Sequence, residues 1–447
     1  MGPEIAVFEH ETRAFRQVLL QVLQAIRVPT WTWSTLDPGL VKIVQVSGAL
    51  TNAVFFVSYT GTVPASHPSA PITSRTSSLS LPTITPRTVL LRIYGPSSSI
   101  LFTRADELRI LHVLSSNYSI GPLIYGTFQN GRVEEWFDST MLTQDDMRDS
   151  AQSRWIAMRM RELHSVDVTK VVGTTWNGQK NVYKSIISWQ GAARDTLDMV
   201  KAMEDKGEIL SEHVWYGRRE QIQLGELMRA WEAYWSWLER WESKHGSSEM
   251  VFAHNDAHYG NLLRVKEPKP GEPEIIIIDF EYAGPNPAAY DIANHFHEWT
   301  ADYSCDTPHL LKDSRYPTRE ERLNFYLGYF GSSVLGGSIN ASPAPLGGPS
   351  SVSSQGTPSH HSTSGLLFPT DSSATRGQAD LEEAINILDA QVHAWSPASH
   401  AYCVMWAILQ AHDDVTNGAV SGFDYLAYAA DRLGKFYTDL SQRGIKW

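Results

Sequence analysis

Cysteine is almost missing from this chain of 447 residues, with Cys305 and Cys403 the only two. Two thiols make no disulfide framework, so the fold must rest on a buried core, and a reducing compartment, the cytosol, is expected. Long apolar runs are missing too. No stretch approaches the roughly 18 residues of a spanning helix, and the opening MGPEIAVFEHETRAFRQ lacks the apolar centre of a secretion signal. Ala6 stands where a myristoylation signal wants Ser or Thr, and the ending GIKW matches no prenylation or retention signal. A cytoplasmic protein without stable membrane insertion is expected. Positive charge is in short supply, 37 Lys and Arg against 49 Asp and Glu, for a formal net charge of −12. That balance repels phosphate backbones and argues against a nucleic-acid partner. It suits a compact cationic or metal-bridged ligand. Apolar material, by contrast, is plentiful: 42% of residues are hydrophobic, enough to bury a large core and exclude global disorder.

The apolar residues Phe15, Val18, Leu19, Val22, Leu23 and Ile26 recur at helical spacing and predict an amphipathic helix over 10–27. After Pro29, VKIVQVSGALTNAVFFVSY reads as two strands around a turn from Ser47 to Asn52, and a third strand covers Thr88 to Tyr94. A helix is predicted over 103–115, then strands through Tyr125, Phe128 and Val133 to Trp136. From Met141 onward the pattern turns helical. The expected fold is α+β and two-lobed, a small β-rich lobe over 1–137 and a larger, mainly α lobe over 138–447. Two low-complexity stretches, 60–87 inside a hairpin and 336–377, read as disordered insertions, with helix resuming over 380–395.

Two apolar strands each end in acidic chemistry. Val251-Phe252-Ala253 runs into His254-Asn255-Asp256-Ala257-His258-Tyr259-Gly260-Asn261, and Ile275-Ile276-Ile277-Ile278 runs into Asp279-Phe280-Glu281-Tyr282. The His-x-Asp start, with Asn261 five residues beyond Asp256, reproduces the spacing of a kinase catalytic loop, and the next strand brings an Asp to the place of a metal ligand. An attacking hydroxyl needs a carboxylate within hydrogen-bond reach, and Mg²⁺ on a nucleotide needs hard oxygen ligands. The pattern therefore points to Asp256 as base and to Asn261 and Asp279 as Mg²⁺ ligands. His254 is assigned to loop architecture; His258 stays open between a substrate-side contact and a surface position. His295 and His297 stand two apart at a helix start and face different ways, so zinc is not expected there. The small lobe must then hold nucleotide phosphates. The turn from Ser47 to Asn52 offers backbone N–H groups, Arg92 takes the place of a phosphate-binding Lys, and Glu107 on the following helix is expected to pair with it.

The run HNDAHYGNLL, followed by IIIIDFEYAGPNPAAYDIANHFHEW and Asp302-Tyr303, resembles the choline/ethanolamine kinase family, most closely its fungal branch. The resemblance extends to VSGALTNAVFFV, to VLLRIYG, more loosely to LGELMRAWEAYWSWL, and to ASHAYCVMWAILQA with FDYLAYAADR. It implies a protein-kinase-like fold and transfer of the ATP γ-phosphoryl group to choline, with ethanolamine as a further substrate, as the first step of phospholipid head-group synthesis by the CDP-alcohol route. By position it implies Asp256 as base, Asn261 and Asp279 on Mg²⁺ with Glu281 close to the metal, and Arg92 on the phosphates. It implies Glu134 and Glu135 at the adenine-side hinge, and adds Ser47, Asn52, Glu107 and His258 to the ATP site. For the ammonium head it points to Tyr282, Asn294, Glu298, Tyr303, Trp406 and Tyr428. A quaternary ammonium has no N–H to donate, so aromatic faces and one carboxylate are its physical complement. A homodimer is also implied.

Three positions depart from the family pattern. Cys403 precedes Trp406 where relatives usually show a pair of Trp residues, His258 replaces a Gln of the loop, and Glu135 stands where many relatives have Gln. A lost cation–π wall costs about 0.5 to 2 kcal/mol and is expected to hurt choline more than ethanolamine, which can still hydrogen-bond to Glu298. The competing readings are a dedicated ethanolamine kinase and a catalytically silent kinase-like binding module.

Overall fold

The computed structural model describes residues 12–46, 52–65, 82–94, 104–268, 270, 273–334, 372–418 and 422–447. They divide into two compact units. The first takes the described residues of Met1–Ser139 with Val265–Glu267 and Ile278–Tyr282; the second takes those of Thr140–Arg264, Pro268–Ile277 and Ala283–Trp447. No helix among the described residues is long and apolar enough to cross a membrane.

In the first unit, α1 (Arg13–Ala25) starts at Thr12, whose hydroxyl accepts from the Phe15 N–H at 3.1 Å and so satisfies one of the donors a helix start leaves unpaired. Then come β1 (Val41–Gln45), β2 (Asn52–Tyr59), β3 (Val63–Pro64), β4 (Thr83–Ile84), β5 (Val89–Tyr94), α2 (Arg104–Tyr118), β6 (Ile124–Phe128) and β7 (Gly131–Glu135). Five of the strands form one antiparallel sheet in the order β1-β2-β5-β7-β6. Alternation along β5 buries Val89, Leu91 and Ile93 and turns Arg92 to the opposite face. The buried set packs with Phe55, Val57, Val133 and the α1 stripe Phe15, Leu19 and Leu23. Segment 60–87 is not wholly without structure, because Val63 and Pro64 pair with Ile84 and Thr83 and carry a short ladder into its base.

The second unit contains β8 (Ser139–Met141) from Thr140 on, α3 (Ser150–His164), α4 (Val168–Val172), α5 (Asn181–Ser188), α6 (Gln190–Asp205), α7 (Arg218–Gln221) and α8 (Leu224–His245). These are followed by β9 (Met250–Ala253), β10 (Leu262–Val265), β11 (Ile275–Ile277), β12 (Gly284–Pro287), α9 (Ala288–Glu298), α10 (Arg319–Val334), α11 (Ser372–Asn417) and α12 (Tyr425–Gln442). The centre is α9, every residue of which is buried, against β9, β12 and α11. Its polar residues Asp291, Asn294, His295, His297 and Glu298 therefore all need partners, and those partners build the site. Helix α11 begins at Ser372, ahead of the expected 380, and runs through Pro397. Proline has no N–H for the His393 carbonyl; Arg443 Nη2 donates to that carbonyl instead, at 2.6 Å.

Candidate active site

The loop from β9 to β10 is held from below by α9. Asp291, fully buried, accepts from the backbone N–H of His254 at 2.9 Å and of Asn255 at 2.7 Å, and its Oδ2 lies 2.9 Å from His164 Nε2. Burial by itself would raise this carboxyl; the His164 and His254 contacts outweigh it and hold the group below the usual carboxylate range. Asn255 sits in the left-handed region, φ 64°, which an Asn tolerates better than most residues. Its side-chain oxygen accepts from Asn286 Nδ2 at 2.8 Å and its carbonyl from Asn294 Nδ2 at 3.1 Å. Gly284 opposes Ala253 across the β9–β12 ladder, and a Cβ there would overlap Asn181 Nδ2. His295 donates from Nδ1 to the Ala257 carbonyl at 2.6 Å and accepts at Nε2 from Trp299 Nε1 at 3.1 Å, which fixes its tautomer.

On this frame Asp256 is presented with its side chain 32% exposed. Asn261 closes the turn, its Nδ2 donating to both the Asp256 carbonyl and Oδ2 at 2.9 Å. His254 Nδ1 accepts from the Asp256 N–H at 3.2 Å, so this His braces backbone. His258 Nδ1 accepts from the Gly260 N–H at 3.0 Å, and its Nε2 stands 3.7 Å from Asp256 Oδ2.

Further along the same unit lies an acid ringed by aromatics. Tyr303 donates to Glu298 Oε2 at 2.7 Å, and its ring lies 6.0 Å from that of His258 and 6.2 Å from that of Phe423. Phe423 in turn lies 5.5 Å from Tyr428, which stands 6.1 Å from Trp406 in an edge-on arrangement. Glu298, Tyr303, Trp406 and Tyr428 are thus brought together, joined by Phe423. Asn294 is not one of them: it is buried, its Nδ2 spent on the loop and its Oδ1 accepting from Ser399 at 2.7 Å. From α9 it braces the loop that carries Asp256. Burial pushes the Cys403 thiol up, so it stays protonated, hydrogen-bonded with Tyr428.

In the first unit, Arg92 Nη1 stands 3.9 Å from Asp279 Oδ2, and Arg92 Nε 3.4 Å from Glu134 Oε1. The expected partner Glu107 goes elsewhere, to Arg132 Nη1 at 2.8 Å. The register explains this. Arg92 and Arg132 are direct neighbours on β5 and β7, two like charges that need Glu134 between them, and Arg132 is the one whose side chain meets α2. Glu134 is held below the usual carboxylate range because the two guanidiniums outweigh its burial. Glu135 is tied to the Leu123 N–H at 3.2 Å. Asp279 adopts φ 66°, and its Oδ1 is buried with no hydrogen-bond partner among the described residues. Glu281 and Tyr282 follow it, half-buried, in this first unit. Ser47 lies outside the described residues; Asn52 opens β2, its backbone opposite Tyr94.

Sequence reasoning missed Asp291, His164, Arg132, Phe423 and Arg432. A signal existed for some of them: Asp291 and Arg432 interrupt otherwise apolar helical stripes, and His164 closes the apolar face of α3.

The family model described as choline/ethanolamine kinase matches residues 43–437. The choline kinase of Schizosaccharomyces pombe is 29% identical over 474 aligned residues, covering 96% of this chain and 90% of that protein. Among solved structures, an ethanolamine kinase of Plasmodium vivax superposes with a TM-score of 0.61 at 20% identity, over 97% of this chain and 92% of that one. A choline kinase of Cryptosporidium parvum gives a TM-score of 0.59 at 21% identity, over 96% and 97%. The protein-kinase-like fold is shared with both.

Proposed function

Because the chain belongs to the choline/ethanolamine kinase family, we propose that it transfers the γ-phosphoryl group of ATP to the hydroxyl of choline, and also of ethanolamine, in phospholipid head-group synthesis. It is a phosphotransferase with an alcohol acceptor. Asp256 takes the hydroxyl proton as the oxygen attacks the γ-phosphorus and the bond to ADP breaks. Asn261, bonded to Asp256, fixes the direction in which the carboxylate points. Arg92, steadied by Glu134, neutralises phosphate charge, with the backbone around Ser47 and Asn52 and the edge at Glu135 completing the nucleotide side. Positioning and charge neutralisation supply most of the rate.

Mg²⁺ fits the donor set, since Asp279 Oδ1 is a buried anionic oxygen with no hydrogen-bond partner among the described residues and Asn261 spends only its Nδ2 on Asp256. Asp279 and Asn261 would hold the ion, with Glu281 nearby, and it would supply further neutralisation of the phosphates. Glu298, Tyr303, Trp406 and Tyr428 receive the ammonium head, and Tyr282 is assigned to the same role. The second substrate, ethanolamine, is favoured by one observation: Cys403 offers a thiol where the family pattern has an aromatic face.

The family match across residues 43–437 carries this reading. Its test is Asp256→Asn, expected to lower kcat on choline by about 10²- to 10⁴-fold with nucleotide binding intact. An unchanged kcat would remove Asp256 from the chemistry.

A further inference from the structure

The aromatic box has a back wall that touches no substrate in the reading above. Arg432, on α12, is fully buried and spreads its guanidinium over three partners. Nη2 donates to Glu298 Oε1 at 3.1 Å, Nε to the Tyr428 hydroxyl at 2.9 Å, and Nη1 to His400 Nδ1 at 3.2 Å. The plane also lies 5.1 Å from the Tyr428 ring centre. With Tyr303 on Oε2, both oxygens of Glu298 are fixed, one from each side.

We infer that Arg432 is a positioning residue of the amino-alcohol site, holding the acid Glu298 and the aromatic wall Tyr428 in one rigid arrangement; this rests on the functional reading above. A buried carboxylate is costly to hold in place without a paired cation and further hydrogen bonds. Arg432 is the paired cation of Glu298, which is itself buried, and holds its Oε1 in a fixed direction. The planar fork matters as much as the charge, because one guanidinium reaches the acid, the phenol and the imidazole at fixed angles, which a single ammonium cannot do. His400 accepts from Nη1 and so is neutral with its proton on Nε2; burial, with the neighbouring His297 and Arg432, keeps it far below the ordinary imidazole value. Arg432 therefore has one anionic partner among these contacts, Glu298.

The test compares steady-state constants of the parent, R432M and R432K with saturating MgATP and varied choline, then the reverse. R432M is expected to raise KM for choline by at least about tenfold, with KM for ATP within twofold of the parent. R432K should fall between them, since it restores charge but not the fork. If R432M does not fold, R432K carries the test. R432M or R432K with choline KM within twofold of the parent, or a rise of both KM values by the same factor, would overturn the inference. A parent that turns over neither choline nor ethanolamine would instead overturn the functional reading, and the inference with it.

Discussion

Asp291→Asn is the substitution that most directly loads the frame under the catalytic loop. The change preserves shape but replaces one carboxylate oxygen with an NH₂ group. Oδ1 receives the Asn255 N–H and Oδ2 receives both the His254 N–H and His164. Whichever way the amide points, at least one backbone N–H then faces a donor. An orphaned buried donor costs about 1 to 3 kcal/mol, and the remaining bonds lose their charge assistance. Together these approach the roughly 3 to 5 kcal/mol typical of breaking a buried ionic contact. Total stabilities are on the order of 5 to 15 kcal/mol, so the variant should fold but unfold at much lower urea. The loop it releases carries Asp256, and displacing a reacting group by about 1 Å costs on the order of 10²-fold. Urea unfolding followed by fluorescence, with kcat on choline measured in parallel, reads both effects. An unfolding free energy within about 1 kcal/mol of the parent together with a kcat within twofold would refute the reasoning.

Two further predictions follow from the same geometry. Asp279→Asn should raise the Mg²⁺ concentration needed for half-maximal activity by about tenfold or more, and a Mg²⁺ titration that superposes on the parent's would remove Asp279 from the metal. His297 and His400 are buried and held well below the ordinary imidazole value, first by burial, so the folded state binds fewer protons than the unfolded chain. Their contribution is present above the unfolded pKa of about 6.5 and is lost as pH falls below it, about 3 kcal/mol for the pair between pH 7.5 and 5.5. Urea midpoints at those two pH values check this, and a midpoint unchanged or higher at pH 5.5 would contradict it.

Much of the frame was legible because it depends on local pattern. Period-2 burial in VLLRIY marks β5, and the apolar strands that stop at His254 and Asp279 mark the two acidic loops. What was not legible depends on register and on helix faces brought together from distant parts of the chain. Only the pairing of β5 with β7 puts Arg92 beside Arg132, which takes Glu107 and shares Glu134 with Arg92. Asn294 sits one helical turn before Glu298, close enough in sequence to suggest a shared role. The turn of α9 points its amide at Asn255 and Ser399, while Glu298 meets Tyr303 and Arg432. Phe423 has no periodic signal, since it precedes α12 in a connecting segment, and only packing brings it between Tyr303 and Tyr428.

The central claim is phosphorylation of an amino alcohol, and the measurement closest to it is product formation by the purified protein with ATP and Mg²⁺. Choline and ethanolamine are supplied at matched concentrations, and phosphocholine and phosphoethanolamine are resolved by ³¹P NMR. The account predicts both products, with kcat/KM for choline at least equal to that for ethanolamine if Phe423, Trp406 and Tyr428 make up for the thiol at Cys403. Neither product forming, while ATP still binds, would contradict it.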